Sequence, residues 1–126
     1  MATWFITGCS TGIGRAMAEA VARRGHTVVA TARRLETLDS FAAAYPGLVV
    51  PLTLDVTDDA SVDAAVRAAL TSAGPIDVLV NNAGIGYFST IEESDQDDVR
   101  AMMEANFWGA ARVTTALLPH LRERLG

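Results

Sequence analysis

The sequence predicts an α/β fold in which helices cover both faces of a parallel sheet. Three observations predict it. Short apolar runs alternate four times with longer stretches whose apolar residues recur at helical spacing. The short runs are continuous in apolar character, as in strands buried on both faces. The first run passes through a glycine-rich turn, Gly8 to Gly14, straight into the first helical stretch. Strand and helix repeated in this order require right-handed crossovers between parallel strands.

Each element has its own signal. Trp4 to Thr7 reads as the first strand, ended by Gly8. Ile13 to Arg24 reads as the first helix, with Ile13, Met17, Ala20, Val21 and Arg24 at helical spacing and Gly25 as its stop. Thr27 to Thr31 is the second strand. Leu35, Leu38, Phe41, Ala42 and Tyr45 form the stripe of a second helix, closed by Pro46-Gly47. Leu48 to Leu54 is a third strand, and Pro51 removes a ladder donor, which places that strand at a sheet edge.

Asp58 or Thr57 caps a third helix carrying Val62, Ala65, Val66, Ala69 and Leu70, and Gly74-Pro75 ends it. Ile76 to Val80 is the fourth strand. Ser94, with Asp97 three residues on, resembles a capping box. The fourth helix then shows Val99, Met102, Met103, Phe107, Ala110 and Val113 on one face, and Pro119 bends or ends it. The architecture is a Rossmann-type doubly wound parallel sheet, truncated after the fourth strand and fourth helix.

Composition narrows the class. The 126 residues are 50% apolar with net charge −5, enough for one packed core and too hydrophobic for disorder. An acidic chain without a basic run is a poor partner for nucleic acid, and no apolar stretch approaches the roughly 18 residues of a membrane span. The single cysteine, Cys9, forms no internal disulfide, which points to a reducing, cytoplasmic setting and a structural role for that thiol. His26 and His120 stand apart from any ligand cluster, so no metal is expected. All ten basic residues are arginine, and chemistry that needs a lysine is not carried by these residues.

The sharpest chemistry lies in Thr7-Gly8-Cys9-Ser10-Thr11-Gly12-Ile13-Gly14. Gly8 permits the tight turn out of the strand, Gly12 lets a phosphate approach the backbone, and Gly14 lets the helix pack against the sheet. The helix N–H groups are thereby aimed at a pyrophosphate. About 20 residues past the glycine loop an NAD site usually places an acid. Here Ala30 to Arg34 contains none, and the first acid is Glu36. A guanidinium grips a 2′-phosphate with two hydrogen bonds, whereas a carboxylate repels it. The two amides of Asn81-Asn82 after an apolar strand need partners, as does Asn106 within the predicted apolar face of the fourth helix.

The Thr7 to Gly14 spacing, Leu54-Asp55-Val56-Thr57, Asn81-Asn82-Ala83-Gly84 and Asn106 together resemble the short-chain dehydrogenase/reductase family, over all 126 residues. The resemblance implies cofactor contacts from Gly8, Ser10, Thr11, Gly12, Ile13 and Gly14. It points to Arg33, with Arg34 as a weaker candidate, for the 2′-phosphate, so NADP(H) is expected over NAD(H). Asp55 and Val56 are implied at the adenine, the alternative for Asp55 being a helix cap. Asn82, Ala83 and Gly84 are implied along the ribose, while Asn81 braces neighbouring backbone. Asn106 is implied as a catalytic residue that holds a proton-relaying water, the alternative being a structural bridge to the sheet.

The family's serine and its Tyr-x-x-x-Lys pair have no counterpart here: Tyr45 and Tyr87 precede no lysine, and no serine follows Ser94. Residues 1–126 are therefore expected to be the N-terminal, dinucleotide-binding half of a single Rossmann domain, inactive alone. The resemblance implies a whole enzyme that exchanges hydride with a small carbonyl or alcohol substrate and assembles as a homo-oligomer. The alternative is a non-catalytic NADP(H)-binding or regulatory module.

Overall fold

The computed structural model describes residues 1–125; Gly126, the end of the expected half-domain, lies outside the described residues. β1 (Thr3–Ile6) lies between β2 (Thr27–Ala32) and β4 (Val78–Val80), with β3 (Val49–Thr53) beyond β2. The order β3-β2-β1-β4 is parallel throughout, with Phe5 in register with Val29 on one side and Leu79 on the other. β3 is an edge strand, where the missing N–H of Pro51, opposite Ala30, is tolerated. The chain runs outward from β1 through β2 to β3 and then crosses back to place β4 on the other side of β1, and this reversal opens a crevice at the carboxyl ends of the strands.

The helices are α1 (Gly12–Arg23), α2 (Asp39–Ala44), α3 (Asp59–Ala73), α4 (Gln96–Met103) and α5 (Ala110–Leu125). Successive strand residues point to opposite faces, so the sheet divides the core in two. Ile6, Val28 and Ala30 pack with Ala18, Val21 and Phe41 of α1 and α2. Phe5 and Val29 pack with Val62, Val66, Val113 and Leu117 of α3 and α5. Phe5 and Ile6 are fully buried, each burial contributing about 1.5–3 kcal/mol. Among the described residues no helix is long and apolar enough to cross a membrane.

Four expectations are corrected. The second helix splits into a 3-10 turn, Leu35–Leu38, and the short α2, because the Thr37 N–H and hydroxyl both donate to the Arg34 carbonyl and tighten the first turn. The cap of α4 is Asp95, not Ser94: its carboxylate accepts from the Asp97 and Asp98 N–H groups, while Ser94 Oγ donates to the Thr90 carbonyl. Pro119 lies inside α5, which continues to Leu125; buried Leu117 and packed Leu121 hold the helix to the core on both sides of it.

The fourth correction matters most. Between α4 and α5 the helix widens into a π segment, Glu104–Gly109. The extra residue rotates the face, so Ala105, Gly109, Val113 and Leu117 are buried while Met103 and Phe107 are 46% and 54% exposed. Asn106 accordingly falls on the exposed side rather than within an apolar face.

Asp77 ties the sheet to α5. Its Oδ2 accepts from the Thr3 N–H at 2.8 Å and its Oδ1 from Arg124 Nε at 2.7 Å. The Thr3 N–H first, then Arg124, hold this carboxyl below its ordinary 3.8. A carboxyl depressed on folding stabilises fully above its unfolded pKa and loses that contribution as pH falls through the folded value. Asp77→Asn is expected to cost about 1 kcal/mol at pH 7. Denaturant titrations from pH 7 to pH 3 should show the gap to the unmutated chain closing only below about pH 4.

Candidate functional site

A cavity of about 400 Å³ opens at the carboxyl ends of the strands, where the β1–α1, β2, β3–α3 and β4 loops converge. Its first wall is the start of α1. Gly8 has φ +71°, and a Cβ there would stand 2.9 Å from the Ala83 Cα. Gly12 has φ +64° with open space on its Cβ side. Gly14 is buried so tightly that a Cβ would collide with the Gly8 carbonyl and the Asn82 side chain.

The N-terminus of α1 is left open. Thr11 makes no side-chain cap, and the first turn holds no acid. By contrast α3 and α4 begin with Asp58 and Asp95 caps and carry Asp59, and Asp97 with Asp98, in their first turns. The first amides of a helix have no intrahelical acceptor, and the helix dipole gives that end partial positive charge. Ser10 and Thr11 line the cavity beside this end, whereas Gly12, Ile13 and Gly14 supply backbone behind it, Ile13 being 74% exposed.

The second wall comes from β2 and β3. Ala32, 5% exposed, and Arg33 line the cavity where β2 ends. Arg33 is exposed and has no carboxylate partner among the described residues, and its charge helps to hold the Asp55 carboxyl low. Arg34 does not line the cavity; its guanidinium pairs with Glu36 at 3.0 Å. Arg15 is committed elsewhere, donating to the Thr37 carbonyl and Ser40 Oγ beneath the Phe41 ring.

Asp55 Oδ1 accepts from the Thr57 hydroxyl at 2.7 Å and the Thr57 N–H at 2.9 Å, the two largest causes of its lowered pKa. The cap of α3 is Asp58, so Asp55 is not the helix cap. Its Oδ2 has no partner among the described residues. Val56, 8% exposed, continues this wall.

The third wall follows β4. Thr7, which opens the glycine motif, is 1% exposed, and its Oγ1 accepts from the Asn82 and Ala83 N–H groups at 2.9 and 2.8 Å, a contact its strand-end position does not announce. Asn82 Nδ2 donates to the Gly8 carbonyl, which sews the β1 and β4 loops together. Asn81 reaches a side chain rather than backbone, donating to Thr114 Oγ1 on α5, because α5 packs over that end of β4. Asn106 grips Ile85 with both amide atoms: Oδ1 accepts from the Ile85 N–H at 2.8 Å and Nδ2 donates to the Ile85 carbonyl at 2.7 Å. A Cβ on Gly84 would sit 2.7 Å from that Oδ1.

The structure thus brings Gly8, Ser10, Thr11, Arg33, Asp55, Val56, Asn82, Ala83 and Gly84 to one cleft, with Asn106 behind Ile85. It adds Thr57, the last residue of the Leu54 to Thr57 motif, and Ala32, Ile85, Ala101 and Ala105, whose apolar side chains carry no chemistry of their own. Cys9 is buried, and desolvation pushes its thiol up to about 11, which removes any reactive role for it at the helix start.

A family model described as short chain dehydrogenase matches residues 2–126. An oxidoreductase of Botryotinia fuckeliana is 43% identical over 122 residues, covering 96% of this chain and 44% of that protein. The alcohol dehydrogenase of Thermococcus sibiricus, solved with 5-hydroxy-NADP, superposes with TM-score 0.95 at 35% identity, over 100% of this chain and 55% of its own. A 3-ketoacyl-(acyl-carrier-protein) reductase of Brucella melitensis, solved with NADH, gives 0.93 at 33% identity, over 98% and 51%. The chain spans less than half the length of the first curated relatives it matches.

The glycine geometry separates two substitutions. Gly14→Ala is expected to destabilise the chain by about 3 kcal/mol or more, since backbone must move to admit the methyl. Gly12→Ala meets no atom and carries only the left-handed backbone penalty, about 1–2 kcal/mol. Denaturant unfolding of both variants checks the order.

Proposed function

The chain belongs to the short-chain dehydrogenase family, and on that premise we propose that its cleft binds NADP(H) in preference to NAD(H). Members of the family use nicotinamide cofactors, and solved relatives carry either an NADP derivative or NADH, so the choice rests on this chain's own residues. One observation carries the reading. The uncapped, acid-free start of α1 and the unpaired Arg33 guanidinium face one cleft whose β2 end offers Ala32 instead of a carboxylate.

In this reading the backbone N–H groups of Gly12, Ile13 and Gly14 hold the pyrophosphate, with Gly8, Ser10 and Thr11 shaping its approach. Arg33 binds the 2′-phosphate as a charge-assisted pair. Arg34, already paired with Glu36, adds only long-range charge. The free Oδ2 of Asp55 accepts from the adenine amine, and Val56 packs beside the ring. Asn82, Ala83 and Gly84 line the ribose. When bound, the cofactor supplies hydride exchange with a small carbonyl or alcohol substrate. Ile85 takes one Nδ2 hydrogen and one Oδ1 lone pair of Asn106, so the second hydrogen and second lone pair of that amide remain for a proton-relaying water.

Residues 1–126 then form the dinucleotide-binding half of one Rossmann domain, a reading supported by the share of relatives' length they span. The edge-to-face pair of exposed Phe107 and Trp108 supports assembly with a second copy in the whole protein. The lone, buried Cys9 fits a reducing, cytoplasmic setting.

The experiment is a pair of titrations, NADPH and NADH, against the unmutated chain, Arg33→Ala and Ala32→Asp. NADPH should bind about 10- to 100-fold tighter to the unmutated chain, or roughly 1.5–3 kcal/mol. Arg33→Ala should remove most of that margin and leave NADH affinity little changed. Ala32→Asp should invert the preference, by repelling the phosphate and offering the ribose diol an acceptor. Equal or tighter binding of NADH by the unmutated chain would overturn the reading.

A further inference from the structure

Arg112, on the first turns of α5, makes three contacts that no motif explains. Nη1 donates to the Val56 carbonyl at 3.2 Å, Nε lies 3.0 Å from Asp59 Oδ1, and Nη2 donates to Glu104 Oε1. Glu104 opens the π segment, and the pair is separated by eight positions. At 3.6 residues per turn, positions eight apart lie about 80° apart around a helix and do not face each other. One extra residue taken up by a π turn reduces that to about 20°. The Glu104–Arg112 contact therefore fits the widened helix and not a regular one.

The widened segment touches both sides of the cleft. Ala105 lines the cavity, and Asn106 grips the Ile85 backbone. A Cβ on Gly109 would stand 2.6 Å from Val56 Cγ2, so the helix lies flush against the residue whose carbonyl Arg112 binds. We propose that Arg112 is a positioning residue for the adenosine end of the cleft: bridging Glu104 and the Val56 carbonyl, it holds the π segment in register and sets the Val56 wall and the Asn106–Ile85 clamp together. The adenosine part of this inference rests on the cofactor reading above. Arg112 is 25% exposed and Glu104 41%, whereas Asp59 is 84% exposed and its ion pair is screened by solvent, so Asp59 is the dispensable partner.

The test measures two things on the chain and on its Arg112→Gln, Glu104→Gln and Asp59→Asn variants: calorimetric affinity for adenosine 2′,5′-bisphosphate, and hydrogen exchange at the Ile85 amide. Arg112→Gln and Glu104→Gln should each weaken binding about five- to tenfold. Both should also speed exchange at Ile85, across the cleft from Val56, while the central Val28 and Ala30 amides keep their protection. Asp59→Asn should stay within about twofold of the unmutated chain. Unchanged affinity and unchanged Ile85 exchange in both variants would overturn the inference, as would a uniform loss of protection across the sheet. If the unmutated chain does not bind adenosine 2′,5′-bisphosphate, the cofactor reading fails, and Ile85 exchange in the two variants still decides the register lock.

Discussion

The contact on which this molecule depends is the one between Gly14 and the Gly8 carbonyl. It presses the first turn of α1 onto the end of β1 more closely than any side chain allows. A helix set there points its unbonded amides out past the carboxyl ends of the strands, into the crevice that the order β3-β2-β1-β4 creates. The same contact fixes Asn82, whose amide donates to Gly8 and would also be struck by a Gly14 side chain. Thr7 completes the arrangement from below, one buried hydroxyl accepting two successive N–H groups of the β4 loop. The phosphate end of the cleft is thus held by backbone packing, which explains why glycines and small polar side chains do the work.

The other end is held differently. Asp55, Val56 and Ile85 sit on loops that a regular helix would meet on only one side. The π segment Glu104–Gly109 offers Asn106 to one wall and Gly109 to the other within a few residues. An extra residue in a helix loosens its hydrogen bonding, and such turns persist where surrounding contacts over-determine them. Here those contacts are the two bonds to Ile85, the close packing on Val56 and the bridge from Arg112 to Glu104.

Most of the fold was legible because it was written in short-range signals. Continuous apolar runs gave the strands, Pro51 gave the edge, and Gly25 and Gly74 gave helix ends with φ of +82° and +78°. The glycine spacing located the start of α1, and the absent acid after β2 drew attention to Arg33. What was not legible depended on register or tertiary contact. A wide helical turn has no residue signature, so the face of the fourth helix was placed one step out, and Asn106 was assigned to an apolar stripe it does not join. Asp95 outcompeted Ser94 as a cap because a carboxylate accepts two amides more strongly than a hydroxyl accepts one. Arg33 and Arg34 look alike in sequence, and only the fold separates them: Arg33 lines the cleft, whereas Arg34 lies outside it and pairs with Glu36. Thr7 and Arg112 act through bonds to distant backbone, which no local pattern announces.

The central claim is that one cleft, walled by the α1 start, the β2 end, the β3–α3 loop and the β4 loop, receives the dinucleotide. Amide chemical-shift mapping during an NADPH titration tests it most directly. The account predicts saturable shifts concentrated at residues 8–14, 32–33, 55–57 and 82–85, with Val62, Asp63, Thr115 and Ala116, which line a separate open groove between α3 and α5, unaffected. Shifts centred on that groove, or no saturable change at the start of α1, would contradict it.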